Sequence, residues 1–325
     1  MLMENDTLTQ PTLITGGTGF AGRHLIQALL DQGHQNIHTT HFGNSTLPEV
    51  CQNPAVTVHT VNLTEAPAVA GLIKAIQPIE IYHLASFAAV GKSFEHAGDI
   101  LHNNITLQLH VLNAVHEHAP QAKILIIGSA EEYGKVPSER LGQKIDESFP
   151  LNPVNPYAVT KVTQDLLAQS FYFSFKMNIL RVRPFNHIGE GQSPDFVIPA
   201  FASQIVAVEQ GKQESLRVGK LETVRDFTDV KDMVKAYMIV MHKGKIGDVY
   251  NIGSGTGWKI GEVLDMLLAH SSQKIKVEVD ESRLRPSDVE YFVADTRRIQ
   301  ELGWSTQVPL SETLERILNE WRNKV

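Results

Sequence analysis

Residues 11–33 of the chain read PTLITGGTGFAGRHLIQALLDQG, in which a glycine-rich turn separates an apolar segment from an amphipathic one. The apolar segment predicts a β-strand, and the apolar spacing after the turn predicts an α-helix that ends near Gly33. Gly16, Gly19 and Gly22 form the pattern G-x-x-G-x-x-G. Such glycines let the backbone turn tightly and approach a pyrophosphate, which binds the amides at the helix N-terminus. We therefore prefer a dinucleotide site to a plain strand-to-helix turn.

Strand and helix patterns alternate from this turn to about residue 190. The segments that predict further strands read NIHTTHF, VTVHTVNL, IEIYHLAS, AKILIIGSA and MNILRVRPFN. AKILIIGSA is almost wholly apolar, as expected for a strand that helices cover on both faces. The alternation predicts an α/β fold, a doubly wound parallel sheet of Rossmann type that binds ligands at the carboxyl ends of its strands.

Beyond residue 190 the alternation loosens into mixed helix and hairpin patterns. We expect a Rossmann domain at 11–190 and mainly a smaller, substrate-binding α/β lobe at 191–325. Segments around 225–253, which include DVYNIGS, are expected to return to the main sheet. Residues 1–10 resemble a loose tail.

The composition narrows the class of partner. The net charge is −7 and no basic block is present, which argues against nucleic acid or an anionic membrane surface. No apolar run reaches membrane-spanning length, and the polar first ten residues do not resemble a signal peptide. Cys51 is the only cysteine, so no internal disulfide can form. We expect a cytoplasmic protein without a bound metal.

The end of the second predicted strand bears on the choice of dinucleotide. It reads HTTHFGNS and contains neither an acid nor an arginine, although an NAD-selective site usually has an acid there for the ribose 2′-hydroxyl. His41, Asn44 and Ser45 could donate hydrogen bonds to a 2′-phosphate, or they could be ordinary polar loop residues. Asn62, at the end of the third strand, is placed to meet the adenine edge. We expect NADP(H), and NAD(H) stays open.

A tyrosine and a lysine stand four residues apart at the head of a helix pattern, in NPYAVTKVTQDLL. This spacing places Tyr157 and Lys161 on one helix face, where the ammonium should favour the phenolate and lower the tyrosine pKa. Ser129 follows the strand ILIIG at the same sheet edge. The pattern Y-x-x-x-K alone is common by chance. After a glycine turn and a strand-end serine, it predicts that Tyr157 exchanges a proton with a substrate oxygen to which Ser129 hydrogen-bonds.

The segments TGGTGFAGRHL, YHLASFAAV, GSAEEYG, NPYAVTK, RPFNHIGEGQ and VRDFTDVKDMVKAY resemble the extended short-chain dehydrogenase/reductases that modify nucleotide sugars. The resemblance covers almost the whole chain. FNHIGEGQSPDFV, VGKLETVRDFTDV and RLRPSDVEY look most like GDP-4-keto-6-deoxy-D-mannose reductases, which form GDP-D-rhamnose and are close relatives of GDP-mannose 4,6-dehydratases. The resemblance implies reductase activity on a GDP-sugar substrate, with NADP(H) or NAD(H) as cofactor. It also implies a homodimer formed through the two long helices.

The resemblance also implies roles for individual residues. Those implied to bind the cofactor are Gly16, Thr18, Gly19, Phe20, Ala21, Gly22, His41, Asn62, Leu63, Leu84, Ala85, Ser86, Asn104, Tyr157, Lys161 and Pro184. Those implied to bind the substrate are Ser129, Asn186, Val197, Arg225, Arg285 and Glu290, with the two arginines on the diphosphate. The alternative for Arg225 is a surface ion pair with Asp226 or Asp229.

Three residues depart from the pattern of the reductases. Glu190 stands where the family often has proline, and Lys220 stands where asparagine is common. Glu131, two residues after Ser129, matches the glutamate with which dehydratases of this family remove the C5 proton, although it could instead be a structural acid. We prefer reduction and count Glu131 among the candidate catalytic residues. Dehydration, epimerisation and a cofactor-binding scaffold without turnover stay open.

Overall fold

The computed structural model describes residues 8–43, 46–88, 93–283 and 289–324. Its strands, in chain order, are β1 (Thr12–Thr15), β2 (Ile37–His41), β3 (Val56–Thr60), β4 (Glu80–His83), β5 (Lys123–Ile127), β6 (Asn178–Pro184), β7 (Asn186–Ile188), β8 (Ser215–Val218), β9 (Val224–Asp229), β10 (Val249–Ile252), β11 (Gly257–Lys259), β12 (Lys276–Val279) and β13 (Tyr291–Phe292). Its α-helices are α1 (Phe20–Asp31), α2 (Ala66–Ile76), α3 (Ala97–His118), α4 (Pro156–Phe175), α5 (Val197–Glu209), α6 (Val230–Lys243), α7 (Ile260–Leu268), α8 (Arg297–Gln300) and α9 (Leu310–Asn323).

Seven parallel strands form the central sheet, in the order β3-β2-β1-β4-β5-β6-β10. The predicted doubly wound α/β fold is therefore confirmed. Strand order reverses between β1 and β4, and in open sheets of this kind the crevice beside such a reversal binds ligands. The segment after β1 is the glycine turn, so the topology brings that turn to the crevice.

Helices cover both faces of this sheet. Successive side chains of a strand point to opposite faces, so neighbouring apolar residues join different cores. Ile14 packs with α1 and α6 on one face, in a cluster that includes Leu25 and Val234. Leu13 packs with α2, α3 and α4 on the other face, in a cluster that includes Val111. This double burial explains why the strand segments are apolar throughout.

A third apolar cluster lies among the residues beyond β6. It joins α5, α7 and α9 through residues such as Ile205, Val263 and Ile317. Here β7, β9, β11 and β13 form a small sheet around β9, and β8 pairs with β12. β10 lies in the central sheet beside β6. The division into lobes at residue 190 stays a prediction.

Several expectations fall outside the described residues. These are the first seven residues of the expected tail, Asn44, Ser45 and Arg285. Across the described ranges, no helix is both long and apolar enough to cross a membrane.

Candidate active site

A cavity of about 510 Å3 lies at the carboxyl edge of the central sheet. It is lined by the glycine turn, by the segments that follow β3, β4 and β5, and by the start of α4. Most of the predicted site residues contribute to its lining, namely Gly16, Thr18, Gly19, Phe20, Ala21, Gly22, Asn62, Leu63, Leu84, Ala85, Ser86, Ser129, Glu131, Tyr157, Lys161, Pro184, Asn186 and Val197. The fold therefore brings together the glycine motif and the serine, tyrosine and lysine.

The glycine turn is packed so tightly that side chains cannot replace its hydrogens. Gly16 has φ of 73°, and a Cβ on Gly22 would lie 2.4 Å from the Gly16 carbonyl oxygen. A Cβ on Gly17 would lie 2.1 Å from Thr39 Oγ1 on β2. The Gly16 amide donates to Thr40 Oγ1 at 2.9 Å, which fixes the turn to the neighbouring strand. The absence of side chains here lets helix α1 begin against the end of β1.

Two features of the lining fit a dinucleotide. Helix α1 begins without a side-chain cap at Gly19, so its first amides are available to an anion such as a pyrophosphate. The hydroxyl oxygens of Ser86 and Tyr237 are buried at the cavity and have no hydrogen-bond partner among the residues that the structure describes. Buried polar groups are normally paired, so these two hydroxyls fit a polar ligand. The residues present therefore fit the cofactor.

The loop after β2 contains no acid that could select a ribose 2′-hydroxyl within its described residues. Phe42 lines the cavity, whereas His41 is buried and its Nδ1 lies 3.2 Å from Thr18 Oγ1. Asn62 lines the cavity, but its side-chain oxygen already accepts from the Thr64 amide at 3.1 Å. His41 thus contacts the glycine turn, and its role toward a cofactor stays a prediction.

Ser129 ends the extended chain after β5 and begins the 3-10 turn Ala130–Tyr133. Its Oγ accepts a hydrogen bond from the Glu131 amide at 3.1 Å, and its own amide donates to Glu132 Oε1 at 2.8 Å. This reciprocal capping holds the serine at the strand end. The Ser129 side chain also acts to lower the pKa of the Tyr157 phenol.

Tyr157 and Lys161 lie on the buried face of α4. The helix is capped by Asn155, whose Oδ1 accepts from the Ala158 amide at 2.8 Å, and Pro156 occupies its first position. Lys161 Nζ donates to the Ile127 carbonyl at 2.9 Å and lies 5.9 Å from the centre of the Tyr157 ring. The helix thus places a phenol and an ammonium at the end of β5.

The expected lowering of the Tyr157 pKa is wrong for this structure. Burial is the largest influence and raises the pKa of Tyr157 well above its ordinary value, and the charge of Glu131 acts in the same direction. Burial also lowers the pKa of Lys161 to about 8, against the charge of Glu132, which raises it. Desolvation outweighs the attraction between the two groups because both side chains are buried.

Glu131 is the only carboxylate among the described residues that line the cavity. Asn155 Nδ2 donates to Glu131 Oε2 at 3.2 Å, so the acid is tied to the start of α4. The residue between Ser129 and Glu131 is Ala130, which is buried and offers no proton donor. Glu131 thus acts on Tyr157 as the one acid among the described lining residues.

Four predicted residues do not line the cavity. Besides His41, Asn104 is fully buried in α3, where its Oδ1 accepts from the Phe87 amide at 2.7 Å and its Nδ2 donates to Thr160 Oγ1 at 3.1 Å. Arg225 Nη1 donates to the Val289 carbonyl at 2.7 Å, and Glu290 lies 3.9 Å from Lys220 Nζ.

The alternative prediction for Arg225 was a surface ion pair with Asp226 or Asp229. Asp226 is fully buried and accepts hydrogen bonds from Ser254 and Gly255. Asp229 forms an ion pair with Arg316. The roles of Arg225 and Glu290 toward a substrate stay predictions.

Sequence reasoning missed an apolar and aromatic part of the lining. It comprises Phe42, Phe87, Phe185, His187, Phe196, Phe227, Tyr237 and Phe292. His187 stacks on Phe20, with ring centres 5.8 Å apart. Phe185 and His187 flank Asn186 in the quoted motif, which could have indicated them. Tyr237 lies mid-helix in α6, and no pattern distinguishes it from an ordinary core residue. Among the described residues, no cluster of three or more potential ligands could hold a metal ion.

Fold and cavity together define a Rossmann-type protein with a dinucleotide-fitting glycine turn next to a serine, tyrosine and lysine. Comparison with known proteins narrows this class. The chain belongs to the family described as GDP-mannose 4,6 dehydratase, whose model matches residues 13–317. This confirms the nucleotide-sugar family that the motifs resembled.

Individual relatives point to the same family. The chain is 31% identical to the GDP-6-deoxy-D-mannose reductase of Pseudomonas aeruginosa, over 98% of this chain and 99% of that one. The structure of RMD from Pseudomonas aeruginosa complexed with NADPH matches with a TM-score of 0.84 at 31% identity, covering 98% of this chain and all (100%) of that one. The UDP-glucose 4-epimerase of Thermus thermophilus, complexed with NAD, has a TM-score of 0.86 at 23% identity, covering 97% and 100% of the two chains, and shows the shared fold.

Proposed function

We propose that the protein reduces the 4-keto group of GDP-4-keto-6-deoxy-D-mannose to give GDP-D-rhamnose, with NADPH as the preferred donor and NADH as the alternative. The observation that carries this proposal is the cavity that joins the glycine turn to Ser129, Tyr157 and Lys161. The similarity to a GDP-6-deoxy-D-mannose reductase over nearly the full length of both chains supports the substrate. The NADPH in the similar structure supports the cofactor.

The protein's own groups supply the proton and the orientation. The cofactor, when bound on the amides at the start of α1, supplies the hydride. Ser129 hydrogen-bonds to the C4 oxygen and Tyr157 gives that oxygen its proton. Because burial raises its pKa, the phenol of Tyr157 is protonated at neutral pH, which is the form a proton donor requires. The buried ammonium of Lys161 then stabilises the phenolate that remains.

A dehydratase is the second candidate, favoured by Glu131 and by the description of the family. Loss of water across C5 and C6 needs a base for the C5 proton and an acid for the leaving hydroxyl. Glu131 is the only carboxylate among the described lining residues, and Ala130 beside it has no proton to give. This shortage of a second acid favours reduction.

We also propose that the protein is a cytoplasmic homodimer. In α4, Val159, Leu166 and Phe173 stand seven residues apart with 40%, 49% and 60% of their surfaces exposed. Such a stripe on a 20-residue helix suits pairing with the same helix of a second copy. For the substrate, Asn186 and Val197 would contact the sugar nucleotide inside the cavity, with Arg225 and Arg285 at its diphosphate and Glu290 at a ribose hydroxyl.

The test supplies GDP-4-keto-6-deoxy-D-mannose, generated in situ, with either NADPH or NADH. Loss of reduced-nicotinamide absorbance measures the rate, and NMR identifies the sugar. Formation of GDP-D-rhamnose supports the proposal and ranks the cofactors. Conversion of GDP-mannose to the keto sugar, without consumption of reduced cofactor, would make the protein a dehydratase. If neither assay shows a reaction, the assignment of the fold stands and the substrate must be another nucleotide sugar.

A further inference from the structure

A buried cluster of two acids and two arginines lies behind the loop that carries Ser129. Glu132 Oε2 accepts from Arg183 Nε at 3.0 Å, and Asp165 accepts from Arg183 Nη2 at 2.5 Å and from Arg181 Nη1 at 3.1 Å. All four side chains are at most 6% exposed. Burying charges costs several kcal/mol per ion, so this cluster requires either excellent geometry or a function.

Hydrogen bonds and close packing connect the cluster to its surroundings. Arg183 Nη1 also donates to the Tyr133 hydroxyl at 3.0 Å, and that hydroxyl donates to Asn251 Oδ1 at 2.7 Å. A Cβ at Gly128 would lie 2.3 Å from Glu132 Oε1, so the residue before Ser129 must lack a side chain for the carboxylate to fit. The position of Glu132 is therefore defined by packing as well as by charge.

Both ends of the cluster connect to the proposed catalytic groups. At one end, Glu132 Oε1 accepts the Ser129 amide at 2.8 Å. At the other end, Asp165 follows Tyr157 by two helical turns and Lys161 by one, on the same buried face of α4. Arg183, on β6, bridges the two acids. The loop after β5 and the helix α4 are thus joined by charge-assisted hydrogen bonds.

We propose that Glu132 is a positioning residue for the reaction: through Arg183 and Asp165 it holds Ser129 in register with Tyr157 and Lys161. This inference rests on the proposed function, in which those three groups act on one oxygen. Proton transfer and carbonyl polarisation require such groups to stay within about 0.5 Å of the productive geometry. A loop serine and a helix tyrosine reach that precision only when their supports are linked.

Electrostatics adds a second effect of the same residue. The titratable groups that act on Glu132 or respond to it are Tyr133, Tyr157, Lys161, Asp165 and Arg183. Burial lowers the pKa of Lys161 to about 8, and the charge of Glu132 opposes that shift. Burial and the charge of Asp165 raise the pKa of Glu132 to about 8, whereas its ion pair with Arg183 opposes that rise and favours the charged form. Burial lowers the pKa of His83 of β4, and the charge of Lys161 acts on it in the same direction. Removal of the Glu132 charge should lower the Lys161 pKa further and move the alkaline limb of kcat/KM to lower pH.

The test compares Glu132→Gln with Asp232→Asn as the matched control. Asp232 is also buried, in α6, and accepts the amides of Gln307 and Val308 at 2.6 and 2.8 Å, but it does not line the cavity. We expect Glu132→Gln to lower kcat roughly 10- to 100-fold, to leave KM within about threefold, and to shift the pH profile. The control should lose stability and keep kcat, KM and the pH profile.

A double-mutant cycle separates positioning from a general loss of structure. In a Ser129→Ala background, Glu132→Gln should lower kcat at the pH optimum by less than about threefold, because its positioning effect passes through the serine. An equal loss in both backgrounds overturns the proposal. If Glu132→Gln does not fold, Glu132→Leu with Arg183→Leu removes one charge of each sign and leaves Asp165 with Arg181. That variant should fold and show the same loss of kcat.

Hydrogen exchange tests the proposal without a substrate. The peptide that spans β5 and the 3-10 turn should lose protection in Glu132→Gln and keep it in Asp232→Asn, while NADPH Kd stays within about twofold. Unchanged protection in Glu132→Gln refutes the positioning role whatever the substrate is. Absence of wild-type turnover with altered exchange would instead refute the proposed function and leave the link between loop and helix standing.

Discussion

Lys161 should carry a stability cost that a methionine would remove. Its ordinary pKa of 10.5 falls to about 8 in the folded protein, chiefly through burial. At about 1.4 kcal/mol per pKa unit, this difference costs the folded state about 3 kcal/mol at pH 7. Lys161→Met removes that cost and the hydrogen bond to the Ile127 carbonyl, a loss of about 1 kcal/mol. We expect the variant to be more stable by about 2 kcal/mol and unable to turn over, as is common for active-site residues.

The pH dependence of the free energy of unfolding tests this reasoning more sharply than the stability at one pH. Because the pKa is lower in the folded state, the folded protein binds fewer protons between pH 8 and 10.5, and wild-type stability rises with pH across that window. The advantage of Lys161→Met should therefore shrink by about 2 kcal/mol from pH 7 to pH 9.5. Urea unfolding at both pH values measures it, with the exposed Lys212→Met as control. A difference independent of pH, or a variant less stable than wild type at pH 7, would refute the reasoning.

Three further predictions concern the chemistry, the glycine turn and the assembly. Tyr157→Phe should lower turnover by about 10²- to 10⁴-fold and keep NADPH Kd, since only the proton donor is lost; full activity would contradict the mechanism. Gly22→Ala should weaken NADPH binding at least tenfold in a fluorescence titration, because its Cβ would lie 2.4 Å from the Gly16 carbonyl oxygen, whereas Gly71→Ala, which meets no atom within 4 Å, should bind normally. Leu166→Glu should yield a monomer by light scattering if the α4 stripe is the dimer interface; an unchanged mass would exclude that interface.

The fold and the proposed catalytic groups could be read from local patterns. Strand and helix periodicity specifies which segments alternate, and right-handed crossovers then restrict how parallel strands can be arranged. The glycine turn and the spacing between Tyr157 and Lys161 are local in sequence, so the geometry of each can be predicted from its own segment. Ser129 followed because a residue just after a parallel strand lies at the carboxyl edge.

Other features of the site depend on distant partners, which local patterns do not show. The role of Asn104 toward a cofactor stays a prediction, and its bonds to the Phe87 backbone and to Thr160 from inside α3 could not be predicted from the sequence. Tyr237 was missed because only the packing of α6 against the sheet brings a core tyrosine to the cavity. The pKa of Tyr157 was predicted in the wrong direction because helical spacing reveals the nearby charge and not the degree of burial.

The sequence by itself therefore determined the class of fold, the position of the glycine turn and the identity of the groups at the end of β5 and the start of α4. Periodicity, glycine geometry and spacing along a helix involve only a few neighbouring residues, so they can be recognised in the sequence alone. Only the tertiary structure decided that Glu132, Arg183 and Asp165 meet, because they come from a loop, a strand and a helix. Desolvation and ion pairing between distant residues depend on what surrounds a group in space, and the neighbouring residues in the sequence do not reveal those surroundings.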